Sequence, residues 1–303
     1  MKSILSAVLI VLLGVGGAIA QEVEEKLPED RFRSEVRLDA ILLDNLFQAP
    51  DGEPQEDVTG GRLELRGGWD LTADGRWNLY GRIGHTEYDS GIDASQNVGL
   101  GLRGENKIHG IDLFGEYFND RPSVEADLFD QADVTRLTAT YELRPVDAWQ
   151  LSLKGVVEQQ SYEAAVARDN DFSSVGAAIR FRGFGRAFSP EIGFSTGSRD
   201  VDNGESSHDE DEYFARILSA PTEALYLSLR YRLRDREYTT GDPTASNFGR
   251  QDDRAQWAFN AAYESSPRLA WNLYLTREKS DSTRPDVDFE TGIATFGVAI
   301  RLY

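Results

Sequence analysis

Thr291 to Tyr303 reads TGIATFGVAIRLY. Ala294, Phe296, Val298, Ile300 and Leu302 share one parity, while Thr295, Gly297, Ala299 and Arg301 share the other. Successive strand side chains point to opposite faces, so this period-2 alternation specifies a strand with one apolar face and one small or polar face. Working outward from this stretch, the same unit recurs along the chain. Val36, Leu38, Ala40 and Leu42 alternate, as do Leu63, Leu65, Gly67 and Trp69. So do Trp149, Leu151, Leu153, Gly155 and Val157, and Leu225, Leu227, Leu229, Tyr231 and Leu233. The weakest such segment holds Tyr213, Ala215 and Ile217.

The apolar faces carry no charge, and the opposite faces are polar: Arg62, Glu64 and Arg66, then Asp112 and Glu116, then Gln150, Ser152 and Lys154. Short gaps with turn residues (Asp74-Gly75, Pro145, Pro221, Pro267) alternate with long polar gaps such as 43–57, 120–132, 200–212 and 239–252. Short turns on one side and long loops on the other are the pattern of a transmembrane barrel. These features predict an all-β fold: a single closed antiparallel up-and-down transmembrane β-barrel over residues 31–303, of about fourteen strands, with twelve and sixteen as alternatives.

Residues 1–20 read as a secretory signal peptide. Lys2 precedes an apolar run from Ile4 to Val15, and Ala18-Ile19-Ala20 is a small-x-small cleavage site. Residues 21–30 are short and acidic with Pro28, which predicts a disordered periplasmic lead-in. There is no Cys, which excludes disulfides and a lipid-modified N-terminal cysteine. The net charge of -20 argues against a nucleic-acid partner. After residue 20 no apolar run approaches the ~20 residues that a membrane helix needs. Alternating strands escape such hydropathy criteria, because lipid-facing and lumen-facing residues cancel.

Trp69, Trp77, Trp149 and Trp271 lie near short turns, and Tyr303 falls at the same level, whereas Trp257 and several Tyr and Phe residues lie near long loops. Two aromatic levels predict two interfacial girdles.

On the predicted lumen face, Arg230, Arg232, Arg234 and Arg236 follow one another on one strand, with Arg180, Arg182 and Arg216 on others. They form either an anion-attracting wall or a structural ladder paired to lumen acids, among which are Glu64, Asp112 and Glu116. The stretch RDVDNGESSHDEDE (199–212) reads as an acidic surface loop. Asp200, Asp202, Asp209 and Asp211 are candidate hard-oxygen ligands for Ca²⁺. Their spacing does not match an EF-hand, and loose divalent bridging to lipopolysaccharide is the simpler expectation. His85, His109 and His208 have no nucleophile signature beside them, so the expectation is no enzyme activity and no cofactor.

The closing stretch and its terminal Tyr303 resemble the last strand of bacterial outer-membrane β-barrels, where a terminal aromatic serves assembly. Here the apolar residues sit one position out of step with that aromatic. Asp44-Asn45-Leu46-Phe47-Gln48, followed by Pro50-Asp51, resembles a D-N-L-F-R-x-P-D stretch of β-barrel porins found in exopolysaccharide gene clusters; Gln48 stands where that pattern has Arg. The resemblances imply a porin-like channel in the outer membrane for passive diffusion of small hydrophilic solutes or ions. They imply as partners membrane lipid, lipopolysaccharide and the barrel-assembly machinery. An accessory barrel for exopolysaccharide export is the alternative, with Tyr80, Phe114, Tyr226 and Tyr274 as inward aromatics for the polysaccharide. A rim-site enzyme is a second alternative.

Overall fold

A computed structural model describes residues 31–44, 57–89, 92–122, 131–163 and 166–302. The proposed signal peptide and lead-in, most of the DNLFQ stretch and Tyr303 lie outside the described residues.

Fourteen antiparallel strands form one closed barrel in which each strand pairs with its sequence neighbours and the first pairs with the last. They are β1 (Phe32–Asp44), β2 (Val58–Asp70), β3 (Trp77–Tyr88), β4 (Ser95–Glu105), β5 (His109–Pro122), β6 (Gln131–Val146) and β7 (Trp149–Tyr162). The second half comprises β8 (Asn170–Phe181), β9 (Ser189–Val201), β10 (His208–Ser219), β11 (Leu225–Tyr238), β12 (Gln251–Ser266), β13 (Leu269–Ser282) and β14 (Phe289–Leu302). The closing stretch does what its alternation requires. β14 lies between β1 and β13, with Val36 opposite Ile300 and Leu38 opposite Val298. Closure leaves no free edge, so every strand backbone has a ladder partner on both sides.

The alternation divides outside from inside. Leu38, Leu65, Leu153, Ile192 and Phe296 stand exposed on the outer surface. Asp39, Glu64, Glu116, Gln150, Glu158 and Glu191 are buried and face inward. A soluble fold would do the reverse, since exposed apolar area of this extent is stable only against lipid. The described interior has no single apolar core. Two small clusters lie inside at the long-loop end: Leu43 with Val58, and Ala132 with Val134 and Tyr162.

One turn expectation holds and another changes in detail. In the β2–β3 turn, Gly75 takes φ +67, a left-handed conformation that glycine adopts without steric cost. There the Thr72 hydroxyl donates to Asp74 at 2.8 Å and, with the Arg76 N–H, holds that carboxyl below its ordinary range. Pro145, expected in a turn, lies within β6, where pairing with β7 is irregular between Leu143 and Val146. A residue without an N–H fits such a break in the ladder.

The larger correction concerns the acidic stretch 199–212. It is not a long loop: β9 runs to Val201 and β10 begins at His208. The cause lies in β11. His208 pairs with Tyr238, and Glu210 and Glu212 stand opposite Arg236 and Arg234, so these two acids meet the arginine face of the next strand. Those ion pairs and the backbone ladder override the low strand propensity of Asp.

Candidate functional site: the lumen wall

The lumen-facing charges are organised as carboxylates, each held between arginines on its own or an adjacent strand. In β9, Glu191 accepts from Arg180 of β8 at 2.6 Å and from Arg216 of β10 at 2.7 Å. In β10, Glu212 accepts from Arg230 at 2.6 Å and Arg232 at 3.1 Å, both on β11. Glu210 takes Arg236 at 2.7 Å and lies 3.5 Å from Arg234. Arg232 continues the chain to Gln256 of β12 at 2.6 Å, and Gln256 donates to Glu278 of β13 at 2.7 Å. Arg216 and Arg230 stand directly opposite each other across the ladder. Two like charges in that position repel, and Glu191 and Glu212 offset the repulsion. Arg230 also covers the Phe214 ring at 4.3 Å.

Six of the seven predicted wall arginines therefore line the interior and are paired with glutamates. The seventh, Arg182, is exposed in the turn after β8, where the strand has ended. Of the predicted acids, Glu64 is held by Arg66, Glu116 accepts from Arg82 at 2.7 Å, and Asp112 accepts from the Tyr80 hydroxyl at 2.5 Å. Tyr80 and Phe114 stack with ring centroids 5.5 Å apart, over Gly99 and Gly101 of β4, where any side chain would overlap the rings.

Trp69, Trp77, Trp149 and Trp271 all project from the outer surface. Asp209 and Asp211 lie in β10 with Asp209 exposed on the outer face, and no group able to hold a metal ion occurs among the described residues. His208 is buried as the first residue of β10, with its Nδ1 2.9 Å from the Ser206 carbonyl, while His85 is half-exposed beside Glu87. His109 lies 2.8 Å from the Tyr141 hydroxyl.

Sequence reasoning missed Glu191, Glu210, Glu212, Gln256 and Glu278 as wall partners. The signal for Glu210 and Glu212 was available: they alternate with the same parity as the β11 arginines. It was hidden because an Asp/Glu-rich stretch reads as loop.

These side chains border a polar chamber of about 490 Å³ between β6 and β11. Nearer the long-loop end, a pocket of about 280 Å³ is bordered by Arg168, Arg199, Glu205, Asn247 and Arg284. Arg199 borders both spaces. Arg284 donates to the Ser246 carbonyl at 2.6 Å, tying the β13–β14 connection to the β11–β12 loop above the pocket.

No known sequence family matches the chain, and no curated protein matches it by sequence. Solved structures do match, and they are bacterial outer-membrane β-barrels. The CymD monoaromatic hydrocarbon channel is 7% identical, with 91% of this chain and 90% of that chain covered at a TM-score of 0.50. A deltaS2 mutant of the TodX monoaromatic hydrocarbon channel is 10% identical, with 91% of each covered and a TM-score of 0.50. Outer-membrane expressed OmpT of Vibrio cholerae is 10% identical, with 92% and 100% covered and a TM-score of 0.49. At these identities the likeness concerns the fold: the chain has the architecture of an outer-membrane β-barrel.

Proposed function

We propose that the protein is a porin-like channel of the outer membrane, through which small hydrophilic solutes or ions diffuse passively. One observation carries the reading: the closed barrel holds two polar spaces, one toward the long-loop end and one along the β6–β11 wall, with Arg199 bordering both. Fourteen strands enclose more space than lumen side chains fill, and charged walls favour water and hydrophilic solutes over apolar ones. The exposed apolar outer faces and the tryptophans on them suit membrane lipid, with lipopolysaccharide around the long-loop end.

The test is single-channel conductance of the mature chain in a planar bilayer. A steady open conductance is expected. A folded barrel that stays silent at every potential would overturn the channel reading.

A second reading has an observation of its own. Tyr80 and Phe114 form a flat stacked pair on the lumen wall, and Tyr226 and Tyr274 present exposed rings on the same side of their strands. Such rings suit sugar faces, so an accessory role in export of a surface polysaccharide is the alternative. A silent barrel that binds oligosaccharide would favour it.

A further inference from the structure

The chain as a whole is strongly acidic, with 52 Asp and Glu against 32 Lys and Arg. Its chamber is the opposite. Of the residues bordering it, Arg and Lys outnumber Glu by nine to five, and no Asp is present. The smaller pocket repeats the bias, with Arg168, Arg199 and Arg284 against Glu205. Basic side chains thus outnumber acidic ones around both spaces.

One member of that excess differs from the rest. Lys154 lies on the lumen face of β7, opposite Thr140 on one side and Gly176 on the other. Neither neighbour offers a carboxylate. Lys154 makes no hydrogen bond and no ion pair among the described residues. An ammonium that faces the chamber with no carboxylate paired to it keeps its hydrogen-bond donors available to a bound anion. Around it, Thr138, Thr140, Ser152, Ser174 and Ser195 border the same chamber with hydroxyl groups. Hydroxyls and a cation on one chamber wall suit a solute with one carboxylate and several hydroxyls of its own. The chamber's 490 Å³ lies within the size range of small-molecule sites.

We propose that the channel takes small organic anions, carboxylated sugars above all, and that Lys154 is the group that binds their carboxylate. The inference rests on the channel reading. Because Lys154 has no described ion-pair partner, its removal strands no carboxylate, unlike removal of any wall arginine.

The experiment uses the mature chain in a planar bilayer, with reversal potential read under a potassium chloride gradient and sodium glucuronate or glucose added as probe. Wild type is expected to be anion-selective, and glucuronate but not glucose should reduce the chloride current. Lys154→Gln should weaken that block about tenfold, as expected for loss of one charge-assisted hydrogen bond. Lys154→Arg should restore it. Cation selectivity in wild type would overturn the anion assignment. Equal effects of glucuronate and glucose would overturn the carboxylated-sugar assignment. Undiminished block in a folded Lys154→Gln barrel would overturn the role of Lys154. No conductance at all would overturn the channel reading itself.

Discussion

Gly297 faces inward on β14, opposite Asp39 of β1 at the seam that closes the barrel. Asp39 is buried there, accepting from Arg37 at 2.8 Å and from Arg62 at 2.8 Å. A Cβ at Gly297 would overlap the Asp39 carboxylate and press on the Leu38 carbonyl at 2.8 Å. Only glycine leaves room for the carboxylate and its two arginines. Gly297→Val should therefore destabilise the barrel by roughly 1–3 kcal/mol, the range for overpacking a close-fitted site. Gly61→Ala, where no atom lies within 4 Å of the added carbon, serves as control and should change little. Urea midpoints of the two variants in lipid vesicles check the difference.

At the scale of the element, β7 and β10 show what decides a strand in this setting. β7 follows alternation alone: Leu151, Leu153 and Val157 stand outward, while Gln150 and Glu158 are buried inward. Leu153→Arg places a charge on the lipid face and should cost about 2–4 kcal/mol near mid-depth, read as loss of barrel assembly into vesicles. Unimpaired assembly would mean that this face does not meet lipid. β10 begins as a strand because β9 and β11 flank it on either side. From His208 to Glu212 its sequence is wholly polar, and its partner faces supply the reason for its extended form.

On the scale of the whole molecule, charge is sorted by face. Asp211, Asp235 and Asp253 stand opposite one another across β10, β11 and β12, and share the outward parity of Tyr213, Leu233 and Trp257. Inward, the same strands present arginines and glutamates in pairs. The acidic balance of the sequence is thus reversed around the chamber, where basic side chains outnumber acids. Replacing Arg230, Arg232 and Arg234 together by Gln should shift the reversal potential toward cations, because three of the chamber's nine cations are lost while its five glutamates remain. It should also lower stability by about 3 kcal/mol, since Glu212 then has no arginine within reach. Adding Glu212→Gln should recover most of that stability. Unchanged selectivity in the folded triple variant would make the wall purely structural.

Strand number, facing and most of the connections were legible in the sequence, because each follows from local alternation and from turn residues such as Asp74-Gly75. A one-residue parity assignment at Leu38 or Phe296 carries a whole strand with it. What lay beyond the sequence was which charges meet. Glu191 pairs with two arginines from separate strands, Glu210 and Glu212 turn an apparent loop into a strand, and Arg182 leaves the wall because β8 ends before it. Lys154 is conspicuous only once its neighbours Thr140 and Gly176 are known. Alternation is a property of one strand, whereas ion pairing depends on the register between strands, and that register exists only in the closed barrel.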